Sequence, residues 1–188
     1  MLVLGLDIST SITGYSLINT DLSQSDCVVE FDGIHLSKKK SLYEKADLIK
    51  KEFLSLSKSY KIDLIFAEES LQSFRRGLSS AKTLSTLSRF NGVVCYLAED
   101  IFNQEVHLTN VIHARSSLGI KIDRKSDKTV KDQVLNWVRK QPEAQTIQWP
   151  TKKMKSGPRK GLVIDDPSCF DIADACVMSM YGMKTLKA

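Results

Sequence analysis

The chain has 188 residues, 42% of them apolar and 26% charged, with a formal net charge of +5. This suits one globular domain with its own core, and no apolar run approaches the roughly 18 residues a membrane-spanning helix needs. Between Arg115 and Lys160 stand 13 basic and 4 acidic residues, a local +9 that leaves the rest of the chain near −4. Such a segment is either a face for a polyanion or a solvated loop. The first residues, Met1-Leu2-Val3-Leu4-Gly5-Leu6-Asp7, lack the basic start of a signal peptide. Cys27, Cys95, Cys169 and Cys176 form no C-x-x-C pair and read as reduced thiols of an intracellular protein.

Residues 2–8 are nearly all apolar, as in a strand buried on both faces. Thr13–Asn19 and Cys27–His35 read as two further strands, joined to the first as a meander. From Ser41 onward, Leu42, Ala46, Ile49, Phe53, Leu56 and Tyr60 trace one stripe of an amphipathic helix. Ile62–Ala67 is a strand again, and residues 78–101 carry a long helical pattern. A brief strand at Val106–Leu108 precedes helices near 110–117 and 128–140. Residues 141–167, rich in Lys and Pro, read as a long basic loop, and a last helix runs from Phe170 to about Lys184. A meander followed by alternating strands and helices predicts a single α/β domain, a mixed sheet with helices on both faces.

Acidic residues end two of the strands, Asp7 after the first and Glu68 after Ile62–Ala67. In an open α/β sheet, ligands gather at the carboxyl ends of the strands. Asp171 and Asp174 sit at i and i+3, on one face of the last helix. Carboxylates that converge repel one another, and hard divalent ions such as Mg²⁺ or Mn²⁺ relieve that repulsion. Two such ions can activate water and stabilise the leaving oxygen of a phosphodiester. An acidic cluster beside a basic segment therefore suits a metal-dependent nuclease.

Val3-Leu4-Gly5-Leu6-Asp7, followed by Thr13-Gly14-Tyr15, resembles the opening hairpin of RuvC-type Holliday junction resolvases. Phe66-Ala67-Glu68-Glu69 is similar to that family's second acidic strand end, and Phe170-Asp171-Ile172-Ala173-Asp174-Ala175 to its C-terminal helix. The resemblance covers nearly the whole chain. It implies a ribonuclease H-like fold, a homodimer, and paired cuts across a four-way DNA junction by an Mg²⁺-dependent endodeoxyribonuclease. Asp7, Glu68, Asp171 and Asp174 would bind two metal ions, and Lys131 would be a further catalytic residue. Gly92-Val93-Val94 resembles the middle of the family's long helix, near its dimer interface. This chain departs from the family in carrying Ile8-Ser9-Thr10 after the first acid instead of Pro-Gly-Ser, and Leu71 with a later Phe74 where an aromatic usually follows the second acid closely. The basic loop is also longer than in compact bacterial members, as in a phage or organellar relative.

DNA contacts are expected from Phe74, Arg75 and Arg76, where a ring precedes two guanidinium groups, and from Arg115, Lys128, Lys152, Lys153, Lys155, Arg159 and Lys160. Glu69 would point away from Glu68, and Asp165-Asp166 reads as a turn before the last helix. Rival functions are a nuclease of the same fold acting on flaps, forks or structured RNA, and a junction-binding protein without catalysis. Sugar-kinase-like ATPases open similarly but need a second half that 188 residues do not hold. The expected location is the cytoplasm (a host's, if the chain is phage-encoded), with an organelle also compatible.

Overall fold

A computed structural model describes residues 1–36, 38, 40–69, 81–158 and 160–186. A five-stranded mixed sheet has the order β3-β2-β1-β4-β5. Strands β1 (Leu2–Asp7), β2 (Ile12–Asn19) and β3 (Val28–His35) form the antiparallel meander, while β4 (Leu64–Glu68) and β5 (Val106–Thr109) continue it in parallel beyond β1. β1 is thus central, which explains its unbroken apolar run.

Alternation along β1 divides the core. Leu4 and Leu6 face α1 (Leu42–Ser59) and α2 (Ala81–Phe102), together with Ile49, Phe53, Phe90 and Val94. Val3 faces α5 (Ser168–Leu186), with α3 (Val111–Ser117) and α4 (Val130–Val138) packed outside it. Residues 168–180 of α5 are buried apart from Phe170, as befits a helix enclosed between the sheet and other helices. Asp7 follows the parity of Val3 and so lies on the α5 face.

Two glycines set how closely α5 approaches. A Cβ on Gly5 would lie 2.3 Å from the Ala175 carbonyl oxygen, and one on Gly14 would lie 2.1 Å from that of Asp171. Gly14 is also the register partner of Asp7. The first turn of α5 is thereby seated directly beside the end of β1.

Ser41 with Glu44 and Thr129 with Asp132 form capping boxes that start α1 and α4. Asp166 accepts from both the backbone N–H and the hydroxyl of Ser168 at 2.9 Å, starting α5, whereas Asp165, read from the sequence as part of the same turn, ends a strand. The segment expected to be one long loop contains a 3₁₀ turn at Pro142–Ala144 and an antiparallel hairpin of β6 (Thr151–Lys153) and β7 (Val163–Asp165). Three-residue strands are too short for alternation to reveal. Arg139 anchors the hairpin, bonding to Asp165 at 2.9 Å and stacking 5.0 Å from the Trp149 ring centre. No helix among the described residues is long and apolar enough to cross a membrane.

Candidate functional site

The parallel register Leu6↔Ala67 brings the ends of β1 and β4 level, so Asp7 and Glu68 emerge side by side. Asp171 and Asp174 arrive from the first two turns of α5. All four line one open cleft of about 590 Å³, with Glu69, Arg115 and Lys131. Glu69 also borders this space.

The cleft is electrostatically strained. Burial, then Asp174, Glu68 and Asp171 in turn, push the Asp7 carboxyl well above the usual range, with Lys131 opposing. Glu68 is raised to about 7, chiefly by burial and then by Asp174, against the pull of Arg115 and Lys131. Burial also raises Asp171, Lys131 lowers it, and Asp174 raises it further. Each shift has the same origin: negative charge held away from water and beside negative charge.

Two cations answer this. Arg115 donates through Nη2 to Asp174 Oδ1 at 2.8 Å, and both side chains are largely buried. Its Nε is buried without a hydrogen-bond partner among the described residues. Asn110 caps α3 by accepting from Ile112 and His113, which sets the helix that carries Arg115. Lys131 Nζ stands 3.8 Å from Asp171 Oδ1, in the capped first turn of α4. Arg115, expected as a DNA contact, is thus also the ion-pair partner of an acid in the cleft.

The donor set is all carboxylate oxygen, which fits a hard divalent ion. Among the described residues, no three acidic, His or Cys groups are gathered as an ion would hold them. Two of the four carboxylates point to cations instead.

Asn91 was not anticipated from the sequence. It is a buried amide on α2 that donates to the Glu68 carbonyl oxygen at 3.3 Å and borders the cleft. Its polar side chain within an apolar helical stripe was the available signal. The turn after Asp7 is closed by Ser9, whose hydroxyl donates to the Ile12 carbonyl at 2.7 Å and accepts from the Ser11 and Ile12 N–H groups. Ile8-Ser9-Thr10 thus turns the chain through the Ser9 hydroxyl. Of the expected DNA contacts, Lys128 is exposed ahead of α4, and Lys152, Lys153, Lys155 and Lys160 lie on or beside the β6–β7 hairpin, outside the cleft lining. Phe74, Arg75, Arg76 and Arg159 lie outside the described residues.

No protein-family model and no curated protein sequence matches the chain. Solved structures do. Thermus thermophilus RuvC in complex with a Holliday junction substrate superposes with a TM-score of 0.65 at 15% identity, over 100% of this chain and 96% of that one. The yeast mitochondrial Holliday junction resolvase Ydc2 gives 0.57 at 16% identity, over 97% of this chain and 77% of that one. Fowlpox virus resolvase, in complex with junction DNA, gives 0.52 at 14%, over all of both chains. These likenesses establish the fold: a ribonuclease H-like α/β domain of the kind that RuvC-type resolvases have.

Proposed function

We propose that this chain is a structure-selective endonuclease that resolves four-way DNA junctions. The observation that carries the reading is the convergence of Asp7, Glu68, Asp171 and Asp174, from three separate elements, on one open cleft. Solved proteins of this fold are described as Holliday junction resolvases, two of them bound to junction DNA, which supports the substrate class.

The four carboxylates would hold Mg²⁺ or Mn²⁺, two ions per site, which when bound supply an activated water and charge for the departing oxygen. The remaining work belongs to the chain. Asn91 steadies the end of β4 through the Glu68 carbonyl. Arg115 and Lys131 balance the acids, and once the acids are otherwise engaged their donors are free to face a phosphate. Lys152, Lys153, Lys155 and Lys160 on the hairpin grip backbone phosphates without reading sequence.

Paired cuts require two clefts, and α2 offers a surface for a second copy. Val93 and Tyr96 are exposed there, Leu108 is exposed on edge strand β5, and a Cβ on Gly92 would meet nothing within 4 Å. A homodimer through this face follows from the resemblance and is consistent with that exposure.

One observation favours a second reading, junction binding without cleavage: Asp174 and Asp171 are already paired with cations. An immobile four-way junction separates the two. Paired symmetric nicks that vanish with chelator and in Asp7→Asn support the resolvase. Tight binding without nicks supports the binder, and cutting of flaps, forks or structured RNA in place of junctions reassigns the substrate.

A further inference from the structure

A second groove opens off the acidic cleft. It encloses about 350 Å³ between Ser9, Thr10 and Ser11 of the β1–β2 turn and Lys82, Thr83 and Thr86 at the start of α2. Ser9, Ser11 and Leu87 line both spaces, so cleft and groove are continuous. Its lining is the chemical opposite of the cleft, with hydroxyls and an ammonium and no carboxylate. The side chains of Thr10, Ser11, Lys82 and Thr86 make no hydrogen bond to another described residue.

An independent feature lies behind the turn. Lys45, on the inner face of α1, is only 7% exposed, and its Nζ donates to the Thr10 carbonyl oxygen at 2.7 Å. It forms no salt bridge among the described residues, and none of the residues outside that set is Asp or Glu. A buried ammonium ordinarily has an anionic partner, because desolvation penalises an uncompensated charge heavily. Here the described residues supply only a carbonyl. The wall that carbonyl belongs to faces a groove rich in unengaged donors.

We propose that the groove is a second phosphate subsite, holding a phosphodiester that flanks the scissile one on the same strand. The Thr10, Ser11 and Thr86 hydroxyls donate to its non-bridging oxygens, Lys82 faces its charge, and Lys45 holds the turn in place while adding positive potential from below. The role of Lys45 is positional, since it acts through Thr10. The proposal rests on the nuclease reading for its substrate, but the groove itself needs only a DNA backbone, so the two fail separately.

The test uses four-way junctions in which a single neutral methylphosphonate is stepped along the cleaved strand. Single-turnover cutting by the 188-residue chain is measured with Mg²⁺. At one position away from the cut, the neutral linkage should slow the wild type about ten-fold, the size of one charge-assisted contact. The Lys82→Ala/Thr86→Val variant should cut the unmodified junction about ten-fold more slowly and then be indifferent to that linkage. Losses that multiply, or a wild type indifferent at every position, overturn the subsite. Lys45→Met should fold and melt no lower than wild type, yet share the slow cutting, with Lys45→Arg restoring it; wild-type cutting by Lys45→Met overturns the positional role. A chain that cuts no DNA sinks the nuclease reading instead. The groove is then judged by adding single-stranded oligonucleotide to ¹⁵N-labelled protein in chelator. Shifted Thr10 and Ser11 amides that stay still in the double variant sustain it, and unmoved wild-type amides overturn it.

Discussion

Gly14 and Asp171 are in contact through backbone alone: a Cβ on Gly14 would lie 2.1 Å from the Asp171 carbonyl oxygen and 2.4 Å from its carbonyl carbon. Backbone cannot yield as a flexible side chain can, so any side chain at position 14 must lift the first turn of α5 from the sheet. Overpacking of this kind costs roughly 1–3 kcal/mol. Gly14→Ala should fold with a lowered melting temperature, and junction cutting should fall far more than folded fraction does, because Asp171 moves away from Asp7. Cutting that tracks the folded fraction would remove the link between α5 seating and the cleft.

Asp7 combines a buried charge with three acidic neighbours. Asp7→Asn should abolish cutting, leave junction affinity within a few-fold, and raise the melting temperature of metal-free protein by relieving the repulsion. Calorimetry beside a gel-shift titration checks all three. A variant that melts lower than wild type would mean the Asp7 carboxylate is compensated in the folded chain.

Glu68 makes stability depend on pH in a definite direction. Its folded pKa, about 7, stands above the ordinary 4.5, so the folded state binds more protons between those values. The slope of stability with pH is set by protons bound unfolded minus folded, here negative. Metal-free protein should therefore lose stability as pH rises from 4.5 to 7, and Glu68→Gln should flatten that decline. Each 1 kcal/mol corresponds to about 2–4 °C in a chain of this size, within reach of a thermal-melt series. Rising stability across that window in the wild type would contradict the assignment.

Arg115 is the partner of a largely buried acid, so removing it leaves Asp174 uncompensated. Arg115→Ala should destabilise the metal-free chain by about 3 kcal/mol. Added Mg²⁺ should restore much of that stability, since a divalent ion can replace the missing charge. A melting temperature that Mg²⁺ does not raise would point to poorer packing as the cause.

The hairpin lysines should act through salt. Replacing Lys152 and Lys153 by Ala should weaken junction binding and reduce the slope of log affinity against log salt by about 0.9 for each phosphate left without its lysine. Cutting rate at saturating protein should stay near wild type, because neither residue lines the cleft. An unchanged slope would place the hairpin off the DNA.

What the sequence by itself determined is local. An apolar run that stops at an acid is a buried strand with a carboxylate at its end, and that placed Asp7 and Glu68. Aspartates at i and i+3 share a helical face wherever the helix packs, which paired Asp171 with Asp174. Capping chemistry is equally short-range, as Ser41 with Glu44 and Thr129 with Asp132 show.

What only the tertiary structure decided is how those pieces are opposed and supported. Arg115 meets Asp174 across 59 residues, and Lys45 reaches Thr10 across 35. Nothing in the periodicity of α3 or α1 announces either partner. Asn91 reads as a defect in an apolar stripe until β4 is packed against it. A charge or an amide acquires a role from what lies within a few ångströms, and on the α5 side of the sheet those neighbours are set by how closely Gly5 and Gly14 let the helix approach.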